Sequence, residues 1–301
     1  MLFFFLFILL GHACSVRPQD QKFEKNIFIL AGQSNMAGRG GVVNDTATGI
    51  TTWDGIVPHK CRPNPSVLRF SANLIWAEAH EPLHADIDTN KTNGIGPGMA
   101  FAHSILAKDK TFGLVGLVPC AIGGTNISQW ERGKFLYKQM MGRAKASLQN
   151  GGTIRGLLWY QGESDTEYKE DAELYKKRMD KFFSDVRDDL QSPLLPIIQV
   201  ALASGLGPYT ETVREAQLGI DLLNLRTIEA KGLPLQRDGV HLSSAAQVRL
   251  GLMMADAFLQ FVPSPGPIRS VATRSFSNLT SDYFFLPFVT FLIIILTFLY
   301  S

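Results

Sequence analysis

The chain carries almost no imbalance of charge. Its 29 Lys and Arg against 27 Asp and Glu leave a formal net charge of +2, with no Lys/Arg-rich run anywhere. That removes the electrostatic footprint of a nucleic-acid binder. No internal repeat is visible, which excludes a solenoid. Cysteine is scarce, at three residues. Cys14 falls at the edge of an N-terminal apolar run, so only Cys61 and Cys120 could pair. A disulfide between them is compatible with a secretory compartment; a buried free thiol at Cys120, which ends an apolar strand run, is the other reading.

Long apolar runs are confined to the two ends. Residues 2–10 are almost wholly Leu, Phe and Ile, and Gly11-His12-Ala13 supplies small residues suited to cleavage. Residues 1–15 therefore read as a signal peptide, although a basic leading segment is missing. At the other end, residues 284–300 are apolar apart from Pro287 and two threonines, with no basic stop-transfer cluster after them. Preceded by the polar spacer 263–283, this tail reads either as a lipid-anchor (GPI) signal or as a peptide membrane anchor. Both place the body in the secretory pathway, outside the cell or at its surface. The sequons at Asn44, Asn90, Asn126 and Asn278 fit that compartment.

The 46% apolar composition of the chain is enough to bury one large core, placed at residues 23–262 and expected to act as a monomer. Apolar runs at 27–31, 112–120, 154–160, 197–202 and 225–229 have the length and content of buried parallel strands, and 67–70 is a shorter candidate. Helical spacing lies between them at 97–107, 134–149, 171–190, 210–223 and 243–262, the last opening on a serine cap. Residues 39–66, rich in Gly, Asp, Thr and Pro, read as a long surface excursion. The alternation predicts an α/β fold: a three-layer α/β/α sandwich around a central parallel sheet of about five strands.

Four strand ends or following loops combine glycines with polar side chains. They are Gly32-Gln33-Ser34-Asn35, Gly123-Gly124-Thr125-Asn126, Gln161-Gly162-Glu163 and Asp238-Gly239-Val240-His241. In a parallel sheet the carboxyl ends of the strands share one edge, where ligand sites collect. Together these segments offer what acyl transfer to water needs: a hydroxyl nucleophile, a base, an acid to orient the base, and donors for an oxyanion. Taken singly, each stays open. Ser34 is a nucleophile or a helix cap; Asp238 and His241 are an acid–base pair or two caps. The Gly123-Gly124 pair supplies an oxyanion N–H or a tight turn. Gln161 gives a side-chain donor or is buried and satisfied by loop carbonyls. Glu163 and Asp165 are supporting or helix-capping acids.

The runs Gly-Gln-Ser-Asn-Met (32–36), Ile-Gly-Gly-Thr-Asn-Ile-Ser-Gln-Trp (122–130), Trp-Tyr-Gln-Gly-Glu-Ser-Asp (159–165) and Asp-Gly-Val-His (238–241), in this order, resemble the SGNH hydrolase superfamily. Within it they are most similar to the carbohydrate esterase family 6 and sialate O-acetylesterase-like branch. The resemblance implies a flavodoxin-like sandwich and cofactor-free, metal-free removal of O-acetyl groups from a carbohydrate. By matching positions it implies Ser34 as nucleophile, His241 as base and Asp238 as its partner. The oxyanion hole would be the Ser34 N–H, one of Gly123 and Gly124, and Gln161, supported by Gln33, Asn35 and Glu163. Gln161 in place of the superfamily's usual asparagine, and Gln-Ser-Asn in place of Asp-Ser-Leu, are features of this branch.

Two rivals stand beside this reading. His80-Glu-Pro-Leu-His84 matches the zinc-hydrolase pattern His-Glu-x-x-His, but that pattern needs a continuous helix to set both imidazoles on one face. Pro82 inside it costs ~3 kcal/mol and removes a backbone donor. The loop would instead help shape a cleft or only pack. The other rival is a sugar-binding protein of the same fold without turnover, which binding without hydrolysis of acetyl esters would establish.

Overall fold

The computed structural model describes residues 24–45 and 47–261. The expected signal peptide, the 263–283 spacer and the 284–300 anchor lie outside the described residues. Among those described, no helix is long and apolar enough to cross a membrane.

The frame is a seven-stranded sheet. Its strands are β1 (Lys25–Gly32), β4 (Val67–Phe70), β5 (Trp76–Glu78), β6 (Leu114–Pro119), β7 (Thr153–Tyr160), β8 (Ile197–Ala201) and β9 (Leu225–Glu229), in the order β5-β4-β6-β1-β7-β8-β9. All neighbours pair in parallel except β5, which runs antiparallel to β4 at one edge. The sheet is thus wider than the about five strands expected. β4 was legible as a short apolar run. β5, three residues of which only Trp76 is half-buried, has no such pattern and forms by pairing back onto β4.

β1 lies at the centre because Ile27 through Gly32 are buried on both faces, as a strand between two helical layers must be. It pairs with β6 on one side and β7 on the other, and the chain reverses its direction of winding here. Such a switch point opens a crevice beyond the carboxyl ends of the strands.

Helices α2 (Gly98–Lys108) and α6 (Ser244–Leu259) cover one face, where Phe28 meets Phe101 and Phe258 edge-on at 4.8 Å between ring centroids. Helices α3 (Phe135–Ser147), α4 (Lys169–Asp189) and α5 (Thr210–Leu218) cover the other, where Trp159 packs on Phe182 at 4.5 Å and on Trp130 at 5.2 Å. Aromatic pairs of this kind contribute about 0.5–1.5 kcal/mol each beyond the area they bury. α5 stops at Leu218, five residues before the expected 223, because the chain turns at Gly219 and re-enters the sheet. α6 is capped as expected, Ser243 Oγ accepting the Ala246 N–H.

The 39–66 excursion carries more order than its composition suggests. It holds a two-stranded hairpin, β2 (Val42–Asn44) and β3 (Thr51–Trp53), built mainly from exposed residues. Cys61 and Cys120 are both free and buried, so of the two readings left open the buried-thiol one describes Cys120. His80 lies in an irregular segment and His84 in a turn rather than on a helix; the first is exposed and the second wholly buried, so they share no face.

Candidate active site

β1 ends at Gly32, whose φ of 129° and contact with β7 leave no room for a side chain. A Cβ there would overlap the Tyr160 carbonyl. The chain then turns into a four-residue helix, α1 (Ser34–Ala37), with Gln33 in the cap position. Ser34 is therefore the first helical residue and not the cap. Its side chain is 6% exposed, and its N–H donates to no acceptor among the described residues.

The loop before α6 brings two further groups to this serine. His241 Nε2 lies 2.9 Å from Ser34 Oγ, and His241 Nδ1 lies 2.7 Å from Asp238 Oδ2. Asp238 also caps its own turn, since Oδ1 accepts the N–H groups of Val240 and His241, each at 2.9 Å. One carboxylate oxygen of Asp238 thus faces the imidazole while the other caps the turn. Partial burial pushes its carboxyl up, but those backbone donors and the imidazole outweigh it and hold the pKa below 3.8.

Asn35 ties the histidine loop to the serine turn. Its Nδ2 donates to Glu163 Oε1 at 2.7 Å and to the Val240 carbonyl at 3.3 Å, while its Oδ1 accepts the Leu242 N–H at 2.9 Å. The residues on either side of His241 are thus both fastened to the neighbour of Ser34. Ser204 Oγ adds a second bond to the Val240 carbonyl at 2.6 Å.

The β7 end forms a closed network. Gln161 is wholly buried, and its amide nitrogen already faces Thr125 O at 2.7 Å, Asp165 Oδ2 at 2.5 Å and Gln33 Oε1 at 3.2 Å. Tyr175 donates to its side-chain oxygen at 3.1 Å. An amide with two hydrogens has nothing left for an oxyanion here. In this structure Gln161 sits in the satisfied, buried state that was its alternative reading. Gln33 Oε1 is also within reach of the N–H groups of Gly162 and Ser164, at 3.3 and 3.4 Å. Burial raises both acids of this network, Glu163 and Asp165, each to about 7, while hydrogen bonds from Asn35 and Gln161 oppose the shift.

The glycine pair divides its tasks. Gly124 has a φ of 73° and open space where a side chain would be. Gly123 lies against the serine: a Cβ on it would stand 3.5 Å from Ser34 Cβ and 2.6 Å from Arg39 Nη2. Its N–H donates to Asp88 Oδ2 at 3.2 Å. Asp88 is buried and ion-paired to buried Arg39, whose Nη1 donates to Asn93 Oδ1 at 2.8 Å and to Gly38 O at 2.9 Å. Sequence reasoning missed Arg39, Asp88 and Asn93. They lie in loops with no periodicity, and only the pairing of opposite charges in a fold already known would have found them.

A groove of about 940 Å³ opens beside His241 and Asp238, between the β2–β3 hairpin and the loop at 235–237. Among the described residues no cluster of three or more His, Cys, Asp or Glu side chains is arranged to hold a metal ion.

The family model described as carbohydrate esterase, sialic acid-specific acetylesterase matches residues 24–260 of this chain. A probable carbohydrate esterase of Arabidopsis thaliana is 53% identical over 253 residues, which span 81% of this chain and 97% of that protein. An X-ray structure of an Arabidopsis thaliana protein, 54% identical, matches with a TM-score of 0.76 over 79% of this chain and 98% of its own. The crystal structure of NanS, 16% identical, shares the fold with a TM-score of 0.61 over 79% of this chain and 97% of its own.

Proposed function

We propose, for a chain that belongs to the carbohydrate esterase, sialic acid-specific acetylesterase family, a serine mechanism that removes O-acetyl groups from a carbohydrate. Membership makes the protein a carbohydrate esterase, a carboxylic ester hydrolase. The observation that carries the mechanism is the chain of contacts Ser34 Oγ–His241 Nε2–Asp238, at 2.9 and 2.7 Å, within the reach that general-base activation of a hydroxyl requires.

In this reading His241 is neutral, with its Nδ1–H held by Asp238 and its Nε2 facing the serine hydroxyl. Ser34 Oγ attacks the acetyl carbonyl carbon as its proton passes to Nε2. The ester C–O bond breaks, His241 returns the proton to the sugar oxygen, and an acetyl group remains on Ser34. Water then repeats the attack, deprotonated by His241, and acetate leaves. Asp238 stabilises the transient imidazolium without taking its proton. We assign the oxyanion to the Ser34 N–H, which meets no acceptor among the described residues, and to the N–H of Gly123, which would exchange its 3.2 Å bond to Asp88 Oδ2 for the oxyanion.

Ser34→Ala is the test: it should abolish acetate release from an acetylated sugar or p-nitrophenyl acetate while the protein stays folded. Undiminished release would remove Ser34 from the mechanism. Activity should survive chelator treatment; its loss would favour metal chemistry instead. Residues 1–15 and 284–300 support a secreted or surface-anchored location, and release from membranes by a phosphatidylinositol-specific phospholipase would identify the lipid anchor.

A further inference from the structure

The turn that presents Ser34 runs on, past the short helix α1, to Arg39. The Arg39 guanidinium is clamped. Both hydrogens of Nη1 are spent, on Gly38 O and Asn93 Oδ1, and one hydrogen of Nη2 goes to Asp88 Oδ2. Asn93 is fixed in turn, donating to the carbonyls of Asp88 and Lys91 at 3.0 Å each. A guanidinium carries five N–H donors. The second hydrogen of Nη2 and the one on Nε meet no acceptor among the described residues, although the side chain is only 7% exposed.

Gly123 lies between this guanidinium and the nucleophile. A side-chain carbon on Gly123 would stand 2.6 Å from Arg39 Nη2, 3.2 Å from Asp88 Oδ2 and 3.5 Å from Ser34 Cβ, so the gap from guanidinium to serine is a single atom wide. The Arg39–Asp88 pair carries no net charge, but its cationic end is the nearer one to that gap. When the Gly123 N–H leaves Asp88 for the oxyanion, Asp88 becomes a buried carboxylate facing a new negative oxygen unless Arg39 still holds it. The Gln161 amide, engaged by Thr125 and Asp165, is not free to help. A clamped donor with hydrogens to spare, lining the groove, is the preorganised arrangement that oxyanion stabilisation uses. On the serine mechanism proposed above, we infer that Arg39 is a third oxyanion donor, giving its spare Nη2 hydrogen to the acetyl oxygen as Ser34 attacks while it keeps Asp88 neutralised.

The test reads the oxyanion directly. Ser34 Oγ adds to the carbonyl carbon of a methyl trifluoromethyl ketone, the carbonyl π pair moves to oxygen, the serine proton passes to His241, and nothing leaves. With that carbon isotope-labelled, NMR follows the pH at which the hemiketal oxygen ionises, beside kcat and KM on p-nitrophenyl acetate. Arg39→Met combined with Asp88→Asn removes both charges together, so neither is stranded in the interior. The double variant should stay folded, lose roughly 10²–10³ in kcat with KM little changed, and ionise its hemiketal at a pH higher by about two. Arg39→Lys keeps a charge beside Asp88 without the planar fork and should lie between, at roughly a tenfold loss in kcat; it gives the same readings if the double variant does not fold. Turnover within about threefold of the wild type, or a fall in turnover with the hemiketal ionisation unmoved, would overturn the inference and leave Arg39 a structural clamp. A wild-type protein that releases acetate yet forms no adduct on Ser34 would instead sink the serine mechanism, and the inference with it.

Discussion

The turn carrying Asp238 and His241 and the segment carrying Gln161, Glu163 and Asp165 flank Ser34 from different sides, and they are built in opposite ways. Asp238 is about half exposed and His241 a quarter exposed, and the turn contains Gly239 at a φ of 71°. Gln161, Glu163 and Asp165 are wholly buried, with almost every polar atom engaged. Asn35 is the joint between them, holding Glu163 with one side and the residues around His241 with the other. The contrast separates two kinds of support. On the mechanism proposed above, the groups that move protons are reachable by solvent, while the groups that fix them in place are sealed in the sheet edge.

That difference predicts which property fails first in a variant. His241→Ala should lower turnover by about 10⁴–10⁶ with little change in melting temperature, since the side chain buries no partner that would be stranded. A fall in stability comparable to the fall in rate would break the comparison. Asn35→Ala should cost about 10–100-fold in kcat with little change in KM, the expected price of a histidine displaced from its serine. An effect on KM alone would show that Asn35 touches substrate instead.

Gln161→Ala should behave oppositely to His241→Ala. It strands acceptors on Asp165, Thr125 and Gln33, at about 1–3 kcal/mol of stability for a buried group left unsatisfied, and chemical denaturation would measure that loss. A large drop in kcat with unchanged stability would show that the amide turns toward the oxyanion during turnover.

A further expected effect is in the pH dependence of stability. Glu163 and Asp165, raised to about 7 from ordinary values of 4.5 and 3.8, hold more protons folded than unfolded between those limits. Their contribution is therefore full below about pH 4 and is lost as pH rises towards 7. Asp238, lowered, contributes in the opposite sense: its share is present above 3.8 and disappears as pH falls. Glu163→Gln should flatten the decline in melting temperature between about pH 4.5 and 7. An unaltered slope would place the titration elsewhere.

Much of this arrangement was readable from residues alone. The central strands announce themselves as apolar runs, because parallel strands covered on both faces must be apolar throughout. Ser34, Asp238 and His241 stood at glycine-bounded ends of such runs or just before a capped helix, and the fold brings all three together. The bonding of Gln161 was not legible because a glutamine's type gives no hint of which way its amide turns; Thr125, Asp165 and Tyr175, distant in sequence, decide that. The Arg39–Asp88 pair and the β2–β3 hairpin were invisible for a related reason. Each forms through contacts between loops, where neither propensity nor periodicity leaves a trace.

The covalent step is the most direct point of attack on the proposed chemistry. The protein is mixed with p-nitrophenyl acetate, quenched in acid within the first turnovers, digested and examined by mass spectrometry. An acetyl group on Ser34, absent in Ser34→Ala, is the predicted result. Sustained acetate release with no acetyl group on Ser34, in a protein whose Ser34→Ala variant remains equally active, would contradict it.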